Sequence, residues 1–565
     1  MRTIVALAIL VGGVHLASAQ PRQIPPPEAI EDEDSSKSAE LAELQGKLKA
    51  GDKSALATFW KKMGERGTPL VEPLADAPHY ALVTFLYRSD TAKDVVLMRP
   101  LADDPRQSQL VRLPGTDIWA RSYRMRDDAR FSYSFGPDFP LTLPPHELGF
   151  VQLRWKLRAD PLNPRRLDLN QSIGVLPNAP AQSLTIPATG VPLGAVHVHK
   201  AASKILGNER RVYVYTPPGH SDGGGPYPLL VLFDGFEYVS DLATTTVLDN
   251  LIAQKRLPPT IVLMIDPVDR FHELGLGDKF IDVVAGELVP FVQRRYHATA
   301  DPRATVVGGF SLGGLAATWS AFRHPEVFGN VLSQSGSYWW FKDGDDEYEW
   351  VTRQIAAVPA KPIRFYLEVG LFEGGRPGSP SMVIANRHLR DVLLAKGYPV
   401  TFRTFAGGHS SISWRGTMGD ALAGLLAGVH PRPAKPRAPT DDLKIEDLGP
   451  SSLVPVLRAA ATGNVDDALS AWQANIDRSR DVDEGSVNFL GYHLLYGLGK
   501  PAAAVAVFTD AVKRFPRSSN LYDSLAEAQY VAGDRASALS NYQQSLALEP
   551  KNENAAAFIQ LVGPK

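Results

Sequence analysis

Ser311 lies between two glycines in Gly309-Phe310-Ser311-Leu312-Gly313-Gly314, which matches the pattern Gly-x-Ser-x-Gly. A β-branched run at 304–307 precedes this segment, and a helix-forming run follows it. A serine at such a strand-to-helix turn is held exposed in a strained backbone conformation, and the flanking glycines let strand and helix pass close together. We therefore predict that Ser311 is a nucleophile and that the chain performs covalent catalysis.

A serine nucleophile needs a base, because a free alcohol is almost never ionised near neutral pH. In enzymes with the nucleophile at this kind of turn, the acid and then the histidine follow the serine in the chain. His409 follows a predicted strand at 400–405, and the preceding pair Gly407-Gly408 lets the loop turn the imidazole back over the sheet. His409 is the predicted base. The other histidines beyond Ser311 lie in predicted helices, a linker or a repeat: His324, His388, His430 and His493.

The acid is expected where the preceding predicted strand, 363–369, runs into a turn. Glu373 lies in that turn and is the predicted acid, since a carboxylate there can hold the second imidazole nitrogen and stabilise its cation. Glu368 is a rival within the strand, and Asp391 lies in mid-helix.

Acyl transfer through a serine also needs N–H donors for the charge that develops on the carbonyl oxygen. The amide of Leu312, directly after the nucleophile, is predicted to be one donor. The second donor is predicted in the loop after a strand at 229–233, with Phe236 as the first choice and Glu237 as the second.

The elements that must position these residues are predicted to form an α/β domain at 191–429. The 565 residues are too many for one ordinary core, and 44% of them are hydrophobic, which indicates several globular domains. Strand and helix patterns alternate from residue 196, as in a mostly parallel sheet covered on both faces. The predicted strands are 211–215, 229–233, 260–265, 304–307, 363–369 and 400–405.

A small all-β sandwich is predicted before this domain, at 37–190, with leading helices at 39–48 and 53–63. Its short strand-like segments are separated by Asp, Pro and Gly turns, which is typical of an antiparallel sandwich. These segments are 81–87, 94–98, 119–123 and 130–135.

An all-α repeat domain is predicted at 451–565, after a Pro-rich linker at 430–450. Four pairs of residues recur after 34 positions: Gly499 and Gly533, Ala504 and Ala538, Phe508 and Tyr542, Pro516 and Pro550. A 34-residue helix-turn-helix period is typical of tetratricopeptide repeats. We expect this domain to offer a surface for a protein partner.

Residues 1–19 have the charged start, apolar stretch and small-residue end of a cleavable secretory signal, and a disordered, Pro- and acid-rich linker is expected at 20–36. We therefore expect a periplasmic or secreted protein that does not insert into a membrane after signal cleavage. The absence of cysteine excludes disulfides and a thiolate nucleophile. The net charge of −2, without a local basic block, argues against a nucleic-acid partner.

Several motifs beyond the serine turn are more specific. They are Val231-Leu232-Phe233-Asp234-Gly235, Arg270-Phe271-His272-Glu273-Leu274, Ser333-Gln334-Ser335-Gly336-Ser337-Tyr338-Trp339-Trp340, and Gly407-Gly408-His409 followed by Trp414-Arg415. These motifs resemble those of the enterochelin (enterobactin) esterases, and segments at 67–72, 83–85 and 115–119 resemble the N-terminal domain of that family. The resemblance implies an α/β-hydrolase fold and hydrolysis of the serine ester bonds of a catecholate siderophore, with release of iron.

By position, the resemblance also implies Ser311 as nucleophile, Glu373 as acid and His409 as base. Three tryptophans are expected either to wall a pocket for aromatic acyl groups or to pack in the core: Trp339, Trp340 and Trp414. Arg270 and Arg415 are expected to meet negative charge on the substrate, with the alternative that Arg270 braces Glu273.

No metal site or cofactor is predicted. His197 and His199 form a His-x-His pair, but no third ligand lies near them in the sequence. No segment has the pattern of a phosphate-binding loop, because the glycine run at 223–225 lacks the Lys-Ser/Thr end.

Three functions stay open at the level of sequence. The first is an exported siderophore-type esterase, and the second keeps the triad but acts on feruloyl, acetyl or other carboxylic esters. The third is a binding protein with an inactive hydrolase body, in which the repeats recruit a partner. The retention of Ser311, Glu373 and His409 favours an enzyme, although the export signal and the repeats depart from the family pattern.

Overall fold

The computed structural model describes residues 30–98, 105–142, 156–168, 170–221, 223–342, 344–345, 347–374, 381–436, 442–476 and 480–562. The predicted signal peptide, 1–19, lies outside the described residues, and so does the first part of the predicted linker at 20–36. The end of that linker forms a strand rather than an irregular segment.

A five-stranded and a three-stranded antiparallel sheet form the N-terminal domain. The elements are β1 (Ile30–Glu33), α1 (Ala39–Lys49), α2 (Ala55–Arg66), β2 (Leu70–Pro73), β3 (Tyr80–Arg88), β4 (Val95–Met98), β5 (Val111–Arg112), β6 (Ile118–Arg126), β7 (Arg130–Pro137) and β8 (Ser172–Val175). The first sheet has the order β1-β6-β3-β2 with β5 on β6, and the second has the order β4-β7-β8. This arrangement is the predicted sandwich.

A nine-stranded sheet forms the centre of the α/β domain. Its strands are β9 (Ala195–Ser203), β10 (Asn208–Thr216), β11 (Leu229–Phe233), β12 (Ile261–Ile265), β13 (Thr305–Phe310), β14 (Asn330–Gln334), β15 (Arg364–Gly370), β16 (Val400–Phe405) and β17 (Leu443–Pro450). The order is β16-β15-β14-β13-β11-β12-β10-β9-β17, and β11 to β16 run parallel. Apolar clusters cover both faces of the sheet, so this is the expected α/β-hydrolase fold.

Helices connect these strands as the alternating pattern predicts. They are α3 (Gly235–Val239), α4 (Thr244–Ala253), α5 (Arg270–Leu274), α6 (Asp278–Val283), α7 (Val289–Arg295), α8 (Leu312–Arg323), α9 (Trp350–Ala357), α10 (Met382–Ala395) and α11 (Ser411–Leu426). Every strand predicted from 211 to 405 is present, and β11 and β16 have the predicted bounds. Three strands of this sheet are outside the list of predicted strands: β9, which carries the His-x-His pair, β14, and β17 at the end of the segment predicted as a linker.

The C-terminal region is all-helical. Its helices are α12 (Leu453–Ala461), α13 (Val465–Ile476), α14 (Glu484–Tyr492), α15 (Pro501–Arg514), α16 (Ser519–Val531), α17 (Arg535–Leu548) and α18 (Glu553–Val562). Residues that recur after 34 positions occupy equivalent places: Gly499 and Gly533 have φ values of 65° and 92° at turns, and Phe508 and Tyr542 are fully buried. Within the described part of the chain, the helices are too short or too polar to span a membrane.

Candidate active site

Ser311 occupies the sharp turn between β13 and α8. Its backbone angles, φ 57° and ψ −124°, lie in a region that L-residues rarely adopt. A Cβ on Gly309 would come within 2.5 Å of the backbone of Gly313, so a side chain cannot be accommodated there. The sequence motif therefore performs the local task predicted for it, because the close crossing of strand and helix holds the strained serine at the end of the strand.

The structure brings Ser311, His409 and Glu373 together in one chain of hydrogen bonds. His409 Nε2 lies 2.9 Å from Ser311 Oγ, and His409 Nδ1 lies 2.7 Å from Glu373 Oε2. The three residues follow β13, β16 and β15, whose carboxyl ends share one edge of the sheet. This geometry allows the imidazole to accept the serine proton while the carboxylate holds the opposite ring nitrogen.

Two further donors orient the buried carboxylate of Glu373. The Ser335 hydroxyl and the Gly370 amide donate to Glu373 Oε1 at 2.6 and 2.9 Å. Ser335 Oγ in turn accepts a hydrogen bond from Trp414 Nε1 at 2.9 Å. Ser335 was not among the predicted site residues, although the specific motif at 333–340 was a signal for it.

Glu368, the rival acid, points to other partners. Its Oε1 accepts hydrogen bonds from Gln334 Nε2 at 2.7 Å and from Thr417 Oγ1 at 2.5 Å. Burial raises the pKa of Glu368 to about 7 against the opposing effect of these bonds. The carboxyl group in hydrogen-bonding contact with His409 is therefore that of Glu373.

The two amides predicted to stabilise an oxyanion have different surroundings. Leu312 is the first residue of α8, so its N–H has no acceptor within the helix. The amide of Phe236 donates to Asp266 Oδ1 at 2.7 Å, a partner that the sequence did not indicate. Burial raises the pKa of Asp266 to about 6.

The three tryptophans that were expected to wall a pocket or to pack in the core differ in burial. Trp414 is buried, stacks on Phe310 at a ring distance of 4.5 Å and contacts the His409 ring edge-on at 4.8 Å. Trp414 thus belongs to the core and packs against the His409 ring. Trp339 and Trp340 are half-buried, and Trp340 stacks at 6.3 Å on Phe271, which is 65% exposed.

The two predicted arginines also have defined partners. Arg270 forms a two-pronged ion pair with Asp234 at 2.7 and 2.8 Å. The alternative that Arg270 braces Glu273 is wrong, because the buried Glu273 pairs with Arg210 at 2.7 and 2.8 Å. Arg415 Nε donates to Gln182 Oε1 at 2.7 Å.

Arg130 and Arg415 bring positive charge to the loop that carries His409, residues 406–409. The Arg130 amide donates to the Ala406 carbonyl at 2.9 Å, so Arg130 lies at the start of that loop. Burial, followed by the charges of Arg415 and Arg165, lowers the pKa of Arg130. Burial also lowers the pKa of Arg415, with Asp241 opposing the effect. The site therefore has a cationic side suited to an anionic ligand.

The His-x-His pair on β9 contacts aromatic side chains of the same domain. His199 Nε2 lies 2.5 Å from Tyr296 Oη, and the ring packs edge-on against Phe291 at 5.3 Å. Among the described residues, no group of three or more His, Asp or Glu side chains is arranged to hold a metal ion.

Two protein-family models match the chain. The model described as "Putative esterase" matches residues 203–425, and the model for the enterochelin esterase N-terminal domain matches residues 82–185. The α12–α18 region lies outside both matches.

Individual relatives agree with these matches. An iron(III) enterobactin esterase of Dickeya dadantii is 31% identical over 438 residues, which cover 70% of this chain and 97% of the relative. An iron(III) salmochelin esterase of Escherichia coli is 31% identical and covers 69% of this chain and 98% of the relative. Among solved structures, an enterobactin esterase from Shigella flexneri in the presence of enterobactin has a TM-score of 0.52 at 30% identity, over 65% of this chain and 97% of that chain. A ferric enterobactin esterase from Salmonella typhimurium has a TM-score of 0.55 at 29% identity, over 65% of this chain and 98% of that chain.

Proposed function

The chain belongs to the enterochelin esterase family and is an ester hydrolase, and we propose that it cleaves the ester bonds of a catecholate siderophore with Ser311 as nucleophile. The observation that carries this proposal is the hydrogen-bond chain from Ser311 through His409 to Glu373. The order of the three residues in the sequence is the one expected for a nucleophile at a strand-to-helix turn.

In the proposed reaction, His409 Nε2 takes the proton of Ser311 Oγ as Oγ attacks the ester carbonyl. Glu373 holds the Nδ1–H and stabilises the imidazolium. The Leu312 amide donates to the developing oxyanion, and the Phe236 amide does so after it leaves the Asp266 carboxylate. His409 then protonates the departing serine hydroxyl of the substrate. Water, activated by the same imidazole, releases the acyl group from Ser311.

The nature of the substrate is supported by two observations. The relatives that cover most of the chain are named for hydrolysis of enterobactin or salmochelin esters. Arg130 and Arg415 place positive charge beside the histidine loop, and a ferric catecholate carries negative charge that such a surface attracts.

The proposal is tested with a hydrolysis panel of siderophore trilactone, feruloyl esters and short acyl esters. We expect release of dihydroxybenzoyl-serine from the trilactone, and a loss of at least ~10³-fold in turnover for Ser311→Ala, which removes the nucleophile. A fluorophosphonate probe should label the wild type at Ser311. Preferred release of ferulate would redirect the substrate assignment, and an unlabelled Ser311 would favour a binding protein.

We also propose that the protein is exported through residues 1–19 to the periplasm or the medium. The support is the charged start, apolar stretch and small-residue end of that segment. Cell fractionation should recover a chain that begins at Gln20 outside the cytoplasm, whereas deletion of 2–19 should retain it inside. A protein partner for the repeats stays a prediction.

A further inference from the structure

The C-terminal helical domain is fixed against the catalytic domain by several polar contacts. Strand β17 extends the central sheet by pairing with β9. Arg458 forms an ion pair with the buried Asp249 at 2.6 Å, and Arg211 pairs with Asp483 at 2.8 Å. Asp483 is the N-cap of α14, so this ion pair joins the start of α14 to Arg211 on β10.

Helix α14 meets the catalytic domain at the first turn of α3, which directly follows β11. The ring of Phe489 contacts the ring of Phe236 edge-on, with centroids 5.7 Å apart. Phe236 packs against both the catalytic core and the helical core. Because β11 and β13 are neighbouring parallel strands, the start of α3 lies beside the turn that carries Ser311.

His493, one turn after Phe489, extends the same surface. Its ring stacks on Phe489 with centroids 6.0 Å apart and an interplanar angle of 14°. Burial and the charge of Arg415 lower the pKa of His493 to about 4, so the imidazole is neutral near pH 7. The stacked rings of Phe489 and His493 thus continue the aromatic contact that begins at Phe236.

From these contacts we infer that the helical domain supplies one wall of the substrate cleft, with Phe489 and His493 as specificity-determining residues. This inference rests on the proposed function. The contact between Phe236 and Phe489 bounds the cleft at α3, and the rings of Phe236, Phe489 and His493 offer stacking to one aryl group. Because such a wall narrows the cleft, it favours linear aryl esters over a bulky macrocyclic triester. The domain lies outside both family matches, so the wall is an addition to the esterase body.

The test compares kcat/KM for a cyclic dihydroxybenzoyl-serine trilactone with that for its linear dimer. Phe489→Ala should raise the trilactone-to-dimer ratio at least fivefold, mainly by lowering KM for the trilactone. Phe489→Trp narrows the cleft and should lower the same ratio. His493→Ala should act in the direction of Phe489→Ala with a smaller effect. Phe515→Ala is the matched control, because Phe515 packs within the helical domain. This change should leave the trilactone-to-dimer ratio within twofold.

The outcomes separate the two proposals. An unchanged ratio in Phe489→Ala and Phe489→Trp, in folded variants that still hydrolyse esters, overturns the wall and leaves the proposed function standing. A wild type that hydrolyses no ester and takes no fluorophosphonate label overturns both. Thermal melting of each variant establishes that it is folded. Because Phe489 and His493 are only half-buried, large changes in melting temperature are not expected.

Discussion

At the residue scale, Glu373, the proposed acid, is positioned by a serine whose own backbone is strained. Ser335 has a φ of 51° directly after β14, and that conformation aims its hydroxyl at Glu373 Oε1. With Oε1 held by Ser335 and Gly370, Oε2 is left to face His409 Nδ1. Ser335 therefore acts through Glu373 and is a positioning residue.

Ser335→Ala should lower kcat about tenfold and leave KM within twofold, because a hydrogen bond to a charged group contributes about 1.5–3 kcal/mol and substrate contacts are untouched. Steady-state kinetics on a short acyl ester measure this split. Thr417→Ala is the control, since it removes a hydrogen bond from the neighbouring carboxyl group of Glu368. Equal losses in both variants, or a change confined to KM, would contradict the positioning role.

At the element scale, the N-terminal sandwich braces the two loops that carry Glu373 and His409. The Phe131 ring on β7 packs against Phe372 at 6.2 Å, and both share a core cluster with Ala406. Phe372 precedes Glu373, and Ala406 begins the loop that ends at His409. The sandwich is thus part of the support of the active site.

Phe131→Ala should lower kcat/KM at least about tenfold, in addition to the roughly 3–5 kcal/mol of stability that a buried Phe→Ala change costs. Phe59→Ala is matched in chemistry and burial but belongs to a different cluster of the same domain. It should cost similar stability and leave kcat/KM within twofold. Denaturant unfolding and hydrolysis rates are measured for both, and equal rate losses would argue against the brace.

Local patterns predicted strands well where the apolar run was continuous, as in β11, or where apolar and polar residues alternated, as in β16. The bounds of β11 and β16 were correct, and the serine turn lies where the glycine pattern placed it. The strand β14 was missed because only two of its five residues, Val331 and Leu332, are apolar. β17 was missed because it exists as a strand only through its pairing with the edge strand β9.

Partners distant in the chain were harder to predict. The sequence offered Glu273 as the neighbour of Arg270, but the true partner, Asp234, follows another strand. The amide of Phe236 was predicted from its loop position, and only the folded chain brings Asp266 to it. Such pairings depend on the order of strands in the sheet, which periodicity does not encode.

At the scale of the whole molecule, the helical domain meets both other domains. Phe489 contacts the catalytic domain at Phe236. Burial is the largest influence on the pKa values of Tyr496 and Glu527, and the charges of two N-terminal-domain residues add to it: Arg166 lowers the pKa of Tyr496, and Asp168 raises that of Glu527. The sequence predicted three domains in order but gave no signal that the third packs against the second at Phe236. That arrangement follows from single side chains far apart in the chain.

Buried carboxyl groups are spread over the molecule, and they predict how its stability depends on pH. Burial raises the pKa to about 6 or 7 in at least six of them: Glu237, Asp241, Asp266, Glu368, Asp523 and Glu527. In the unfolded chain these groups titrate near pH 4, so the folded state binds their protons more tightly. Their stabilisation is complete below about pH 4 and is lost as the pH rises through 6 and 7. We therefore expect the melting temperature to fall between pH 5 and pH 8.

Glu527→Gln isolates one of these groups, because the glutamine cannot ionise. Its single amide oxygen can accept the hydrogen bond of Tyr496, and its NH2 group can donate to the hydroxyl oxygen of Tyr492. Calorimetry at pH 5 and pH 8 should show a flatter pH dependence for the helical domain than in the wild type. At pH 8 its melting temperature should rise by at least about 4 °C, the shift expected for about 1 kcal/mol in a domain of roughly 100 residues. A wild-type melting temperature that rises from pH 5 to pH 8 would contradict this prediction. Stability falls with rising pH only where the pKa of a group is higher in the folded state than in the unfolded state, so such a rise would mean that these carboxyl groups ionise freely in the folded protein.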